Sequence, residues 1–564
     1  MAGMKTSIAV RVQRRDRSRA ASAYLGIGLG ALSLFSALLR PLHSWLRGPL
    51  AVLPEFLIQV SAIYVVFLSF GLFIVARYLR SGNRVAWAGS VLLLALIAVL
   101  HAGKRADWPL AALCAAAALW LGLQYRAFPV WPGRLALKRT LLASGAVLVL
   151  ASLLVGALVL RLALATHQDL GSGARQFASV LDAELHEHRL ALSFALVAAV
   201  LLGLAGLLWW YRYTGSHTDP ADAAAHLADR ERARELVTRH GGGTLDYFAL
   251  RDDKRWFFLG QSVIAYAVRG SVCLVSPDPI GPRDEREETW AEFMVFAEQR
   301  GWSVGVLAAA EDWLPIYERS GLRGVYLGDE AIVDSAGFSL AGKKSKSLRQ
   351  SHARLLRAGY RVEHVDPLTL DPAARERLLQ LAGESRRGEA ERGFSMTLSR
   401  LFDPADTGLL LSIAYDAAGM PQAFIQWVPA AAVRGWSLDV MRRSTAGQLP
   451  GGLMDLLIIE MLGKLAGEGG GQLGLNFAVL REAVAAGGRG AGGGWFERLV
   501  AKQASKHAQV ESLYRFNAKY DPRWQPRYAA LGTVDLWVSQ GLRMAQAEGL
   551  AELPALPRLR PERT

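Results

Sequence analysis

Residues 22–213 are built from Leu, Ala and Val in long runs that few charges interrupt, whereas residues 214–564 mix polar and apolar residues in the ordinary way. A run of roughly 20 mostly apolar residues is long enough to cross a bilayer as a helix. Six stretches qualify, at about 22–40, 52–79, 85–102, 107–125, 140–166 and 189–213. The chain therefore reads as a polytopic α-helical membrane domain followed by one large or two medium polar domains. Only 20% of all residues are charged, against about 25% in a usual soluble chain, and the deficit lies in the first part.

Basic residues set the expected orientation. The N-terminal tail holds Lys5, Arg11, Arg14, Arg15, Arg17 and Arg19. Arg80 and Arg84 follow the second apolar run, and Arg126, Arg134, Lys138 and Arg139 follow the fourth. The loop before the sixth is mixed, with Asp169, Asp182, Glu184 and Glu187. These alternations place both termini in the cytoplasm. The basic start lacks a small-residue cleavage site after it, so the first run reads as an uncleaved span. Gly26, Gly28 and Gly30 inside it read as close-packing positions.

A net charge of +14 asks for a polyanionic partner, anionic lipid or nucleic acid. The two cysteines, Cys114 and Cys273, exclude a disulfide framework and a Cys-based metal site. No metal site is expected.

Beyond a linker helix at 214–244, short runs bounded by Gly, Pro and Asp read as strands. "KRWFFLG", "SVIAYAVRG", "SVCLVSPDPIG", "WSVGVLAAA" and "RGVYLGDEAIVD" make, with "TWAEFMVFAEQRG" and "DWLPIYERSG" as helices, an α/β unit at 245–340. A second unit at 361–545 repeats the order of strands, long helix and strand. Its hairpin is "LLLSIAYDAAGMPQAFIQWVPA", its long helix "GLMDLLIIEMLGKLAGEGG", and its later strand "QLGLNFAVL". Two copies of one fold are expected, with a tail at 546–564. Gly487–Gly494 reads as a flexible loop.

Between the units, at 341–360, lies a basic amphipathic helix carrying Lys343, Lys344, Lys346, Arg349, Arg354 and Arg357 without one acid. A solvated face normally mixes signs, so this face is read as a phosphate contact, for tRNA or for anionic lipid.

Five stretches carry a resemblance: "SPDPIG"; "YLGDEAIVD" with "FSLAGKKSKSLRQSHARLLRAGYRVE"; "WSLDVMRR" with "LPGGLMDLLI"; "LGLNFAVL"; and "YRFNAKYDPRWQPRYAAL". In that order they resemble the aminoacyl-phosphatidylglycerol synthases (phosphatidylglycerol lysyltransferases, multiple peptide resistance factors) over about 245–545. The resemblance implies two tandem GNAT-like acyltransferase folds, cytoplasmic, behind a multi-pass domain in the bacterial inner membrane. It implies transfer of an aminoacyl group, most commonly lysyl, from aminoacyl-tRNA to phosphatidylglycerol. The product lowers the negative charge of the membrane and confers resistance to cationic antimicrobial peptides. Alanine, arginine and ornithine stay open as the group moved. The partners implied are aminoacyl-tRNA, phosphatidylglycerol and other anionic lipids, with room for a homo-oligomer. Two departures are Pro277, where the family often has Gly, and six apolar runs where the longest members carry about eight more.

The donor ester is already activated, so no cofactor is expected beyond aminoacyl-tRNA as co-substrate. The site must bind an ammonium, neutralise phosphates and move a proton off a hydroxyl. By resemblance, Asp439 and Arg442, placed at the end of a strand, are catalytic: an acid for the amino group or the acceptor, a guanidinium for a phosphate or the ester carbonyl. Lys519 is read as an oxyanion or phosphate contact. Glu330, Asn476 and Arg527 are read as substrate-binding, with a structural ion pair as the alternative for Arg527. Two rivals stay open, a membrane-tethered GNAT enzyme using acyl-CoA and a lipid transporter with a regulatory domain.

Overall fold

A computed structural model describes residues 2–38, 223–386, 393–398, 400–445, 449–479 and 509–548, with 65, 68–69, 71–73, 75–76, 78–103 and 108–130. The chain falls into two compact units, one of Val10–Gly215 with Glu298–Trp302, the other of Met1–Ala9, Ser216–Ala297 and Ser303–Thr564.

The helical unit holds α1 (Ala2–Leu38), α2 (Arg84–Gly103) and α3 (Trp108–Leu123). α1 runs unbroken through the basic stretch and on into the first apolar run. Asn83 fixes the start of α2, its Oδ1 accepting the backbone N–H groups of Val85 and Ala86, as an N-cap does. α2 packs on α3 through Leu94, Ile97, Cys114, Ala118 and Leu121. Among the described residues α2 is the one helix long and apolar enough to cross a membrane, and α3 is a shorter apolar helix. They lie at the expected runs 85–102 and 107–125, and the described part of the run at 22–40 lies in α1. Those at 140–166 and 189–213, and most of 52–79, lie outside the described residues.

The second unit opens with α4 (Ala223–His240), β1 (Arg255–Leu259), β2 (Ser262–Arg269) and β3 (Val272–Val275). It continues through α5 (Arg286–Gln299), β4 (Ser303–Ala309), α6 (Leu314–Arg319) and β5 (Arg323–Asp334). After α7 (Lys346–Arg357) and β6 (Arg361–Val365) the pattern returns. It runs α8 (Pro372–Arg386), β7 (Leu410–Tyr415), β8 (Pro421–Ala430), β9 (Gly435–Arg443), α9 (Leu453–Gly467), β10 (Gln472–Val479), α10 (Gln509–Ala518) and β11 (Arg523–Leu531), and α11 (Val534–Ala547) closes it. Among the described residues, the series α4–β1–β2–β3–α5–β4–α6–β5 thus follows the same order as α8–β7–β8–β9–α9–β10–α10–β11.

The copies are not two separate sheets. Among the described residues, eleven strands form one sheet in the order β1-β2-β3-β4-β11-β5-β10-β9-β8-β7-β6. Copy one ends in β5, which lies against β10 of copy two, and copy two ends in β11, which lies against β4 of copy one. The two exchanged strands pair antiparallel with each other at the centre. Each copy keeps one parallel pair, β3 with β4 and β9 with β10.

α9 supplies the core under the second copy. Leu453, Leu456, Leu457, Met461, Leu462 and Leu465 recur at helical spacing and are buried against Trp427, Leu438 and Leu473. Each fully buried leucine is worth about 1.5–3 kcal/mol, so Leu457→Ala is expected to cost about 2–5 kcal/mol. The segment read as a linker helix is docked rather than free: Ala233, Leu236 and Val237 of α4 sit in a core with Phe248 and Leu250.

Candidate active site

Asp439 stands inside β9, not at its end, and is 5% exposed. The strand carries a bulge there: Leu438 faces Trp427 and Val440 faces Gln426, so Asp439 has no partner of its own on β8. A bulge breaks the alternation of faces and re-aims a side chain. Leu438 accordingly packs with Trp427 over α9, while Val440 packs with Leu378, Leu381 and Phe424 on the side of α8. This irregularity is why an acid flanked by apolar residues is buried and yet hydrogen-bonded.

Three donors meet the carboxylate. Thr397 Oγ1 donates to Oδ1 at 2.7 Å, the Leu398 backbone N–H to Oδ1 at 2.8 Å, and Gln426 Nε2 to Oδ2 at 2.7 Å. Burial raises the pKa to about 6, against the lowering effect of these three donors. Gln426 is itself fully buried, and its Nε2 also donates to Arg400 O at 3.2 Å. Two acceptors around the nitrogen fix the amide's orientation, and Oε1 is left buried with no hydrogen-bond partner among the described residues. A buried acceptor without a donor costs about 1–3 kcal/mol.

The location follows from the sheet. β9 and β10 are paired only at Trp436–Leu473 and Ser437–Gly474. Past Ser437 the strands part, and Asp439 and Arg442 lie on the diverging stretch of β9. Arg442 is half-buried and its Nη1 donates to Met441 O at 2.8 Å. Arg443 is exposed.

Across β10 lie Glu330 and Arg527, on the exchanged strands β5 and β11. Arg527 donates to Glu330 Oε2 from Nε at 3.0 Å and from Nη2 at 2.6 Å, and Thr244 donates to Oε1. Glu330 is fully buried and Arg527 6% exposed. Instead of standing free for substrate, the two satisfy one another, the structural pairing that is the alternative for Arg527. Burial works against the charge on Arg527, but the paired Glu330 carboxylate, with smaller help from Asp278 and Asp246, raises its pKa above the ordinary value. Asn476 lies in a second bulge, between the Gly474–Ile332 and Phe477–Glu330 pairings of β10 with β5. Adjacent strands β11, β5, β10 and β9 thus carry Arg527, Glu330, Asn476 and Asp439 in turn.

Lys519 lies elsewhere, at the end of α10. Its Nζ donates to Asp455 Oδ1 at 2.5 Å, as does Tyr520 Oη, and it stands 4.3 Å from the Phe516 ring. The expected oxyanion role finds no support in this geometry, because an ion pair to the first turn of α9 holds the ammonium.

The basic segment is an exposed face, with Leu348 and Leu355 buried beneath it. Lys343 and Lys344 precede α7 in a turn, and Lys346 opens it. Arg349 donates to Leu340 O and Gly342 O, and Arg354 to Gly451 O at 2.8 Å. Lys344 lies 3.6 Å from Asp521, both exposed, a pairing worth little. Among the described residues no cluster of His, Cys, Asp and Glu has the makings of a metal site.

Copy one has a counterpart acid. Asp278 stands just past the last β3–β4 pairing and accepts from Tyr317 Oη at 2.5 Å and the Ala310 N–H at 2.8 Å. Burial raises its pKa to about 7. A cavity of about 490 Å³ lined by Ala310, Glu311, Asp312, Gln525 and Pro526 opens beside it. Asp278, Thr397 and Gln426 are site residues beyond those that the sequence points to. A glutamine inside the apolar run "AFIQWV" was a signal for Gln426; Thr397 offered none.

Comparisons with known proteins agree with this architecture. Residues 234–531 match the family model described as phosphatidylglycerol lysyltransferase, C-terminal. The lysylphosphatidylglycerol biosynthesis bifunctional protein LysX of Mycobacterium ulcerans is 37% identical over 340 residues, 59% of this chain and 30% of that one. Its Mycobacterium tuberculosis counterpart is 36% identical over 342 residues, 59% of this chain and 29% of that one. The chain therefore spans about 30% of the length of these relatives. The solved structure of L-PGS from Bacillus licheniformis is similar at a TM-score of 0.51 and 25% identity, over 57% of this chain and 96% of that one. The C-terminal domain of a lysylphosphatidylglycerol synthetase from Agrobacterium fabrum shares the fold at a TM-score of 0.50, 23% identical over 58% of this chain and 98% of that one. The family match covers more than half of the sequence, and the chain belongs to the phosphatidylglycerol lysyltransferase C-terminal family.

Proposed function

We propose that the chain transfers an aminoacyl group, lysyl by the name of its family, from aminoacyl-tRNA to a glycerol hydroxyl of phosphatidylglycerol. The hydroxyl oxygen bonds to the ester carbonyl carbon, the bond from that carbon to the tRNA ribose oxygen breaks, and the hydroxyl proton passes to the ribose oxygen. The donor ester is already activated, so the residues have to position, neutralise and relay a proton.

One observation carries the reading. A buried carboxylate, Asp439, stands where β9 and β10 part, with three donors in place and the unfilled acceptor Gln426 Oε1 on its neighbour. Oδ2 accepts one bond from Gln426 and keeps a lone pair. An ammonium or a hydroxyl from substrate suits that pair of acceptors. Asp439 then takes the amino group of the aminoacyl ester or orients the lipid hydroxyl, and Arg442 answers a phosphate or the ester carbonyl. Asn476, in the neighbouring bulge, orients the same ester. The exposed lysines Lys343, Lys344 and Lys346, with Arg349 and Arg354, meet tRNA phosphates. Cationic product in the bacterial inner membrane then lowers its attraction for antimicrobial peptides.

The test is full-length protein in phosphatidylglycerol vesicles with lysyl-tRNA carrying labelled lysine. Label in the lipid fraction supports the reading. Label that stays on tRNA while acyl-CoA serves as donor overturns it.

A further inference from the structure

Both bonds to Asp439 Oδ1 come from one irregular turn, Gly393–Leu398, and Arg400, just beyond it, accepts from the amide of Gln426 that holds Oδ2. The turn is buried: Phe394 and Ser395 are fully so, Thr397 4% and Leu398 2% exposed. It belongs to neither helix nor strand, so no ladder of backbone bonds fixes it, and its shape depends on what grips it.

The grip comes from copy one. Arg251, just ahead of β1, donates from Nη1 to Gly393 O at 2.7 Å and to Thr397 O at 3.2 Å. One guanidinium nitrogen thus ties the two ends of the turn together. Thr397 is the joint: its carbonyl takes Arg251 and its hydroxyl gives to Asp439. Arg251 is aimed by Asp253, which accepts from its Nε at 2.9 Å and is shared with Arg269 at 2.8 Å. Two further groups bear on the turn. Glu548 accepts the Ser395 N–H at 3.0 Å, and Lys254 Nζ lies 4.5 Å from the Phe394 ring.

We propose that Arg251 is a positioning residue for the transfer reaction: through the Gly393–Leu398 turn, copy one sets the place and direction of the Asp439 carboxylate in copy two. This rests on the assignment of Asp439 made above. It gives the duplicated fold a chemical reason to stay joined, since the copy that lacks Asp439 supplies the brace for it.

The experiment compares full-length wild type, Arg251→Met, Arg251→Lys, Thr397→Val, Arg269→Met and Asp439→Asn in phosphatidylglycerol vesicles with lysyl-tRNA, with unfolding midpoints measured alongside. A misplaced reacting group costs on the order of 10- to 100-fold in rate. Arg251→Met and Thr397→Val are expected to lose kcat on that scale with KM for either substrate held within about twofold. Arg251→Lys, able to reach one of the two carbonyls, should recover part of it. Arg269→Met, which removes the other ion pair of Asp253, should keep the wild-type kcat. The proposal is overturned if Arg251→Met retains kcat, or if Arg269→Met loses as much at an equal drop in midpoint. Asp439→Asn separates the levels. Wild-type activity there sinks the assignment of Asp439, whereas an inactive Asp439→Asn beside a fully active Arg251→Met sinks the brace alone.

Discussion

Arg527 and Glu330 form a buried ion pair across the pair of strands that the two copies exchange, one partner on β11 and one on β5. Breaking a buried pair from one side leaves a charge uncompensated and costs about 3–5 kcal/mol, whereas replacing both partners with apolar groups is often neutral. Arg527→Met or Glu330→Leu alone should therefore destabilise the domain by that amount in denaturant unfolding, and the double variant should recover most of it. A double variant no more stable than either single would show that the pair is not a closed unit.

The acid limb of the transfer reaction should reflect Asp439. Burial raises its pKa to about 6, so a reaction that needs the carboxylate falls away as the pH drops through about 6 rather than through the usual range near 4. Thr397→Val removes a donor that favours the charged form and should move the limb to higher pH. A pH–kcat profile on both proteins checks this; an unmoved limb contradicts it.

Stability should also follow Asp278. Burial raises its pKa in the fold to about 7, well above the usual carboxylate range near 4. A raised pKa means that its contribution is fully present below about 4 and is lost as the pH rises through about 7. Unfolding free energies at pH 5, 6, 7 and 8 should show wild type losing ground to Asp278→Asn up to about pH 7 and holding a constant gap above it.

The lysines ahead of and opening α7 bear on the donor. Replacing Lys343, Lys344 and Lys346 with Glu should weaken binding of charged tRNA and lower the slope of log affinity against log salt by about two to three, one counterion for each lost phosphate contact. An unchanged slope in a salt titration would assign the face to another partner.

Much of the α/β order is legible in the sequence because the strand runs end on Gly, Pro or Asp and the helices carry their apolar residues three and four apart. Leu453, Leu456 and Leu457 are buried as that spacing requires. The strand exchange is not legible. β11 has the letters of any half-buried strand, and only the assembled sheet reveals that it lies between β4 and β5 of the other copy. "YRFNAKYDPRWQPRYAAL" reads as one motif, but it breaks into the end of α10 and β11 around Asp521, whose φ of 52° turns the chain. Asp439 announces itself as a charge in an apolar strand. Its burial depends on a bulge set by the register with β8, which a single strand does not encode. The Gly393–Leu398 turn has no period to read at all; its meaning lies in bonds to Arg251, Glu548 and Asp439, residues distant in the chain.

Mass spectrometry of lipid extracts from a bacterial host expressing the full chain tests the central claim most directly. Wild type should yield phosphatidylglycerol heavier by one aminoacyl group, lysyl on the family's precedent, and Asp439→Asn, expressed to the same level in the membrane, should yield none. An unaltered lipid profile with wild type, or an aminoacylated lipid made equally well by Asp439→Asn, would contradict it.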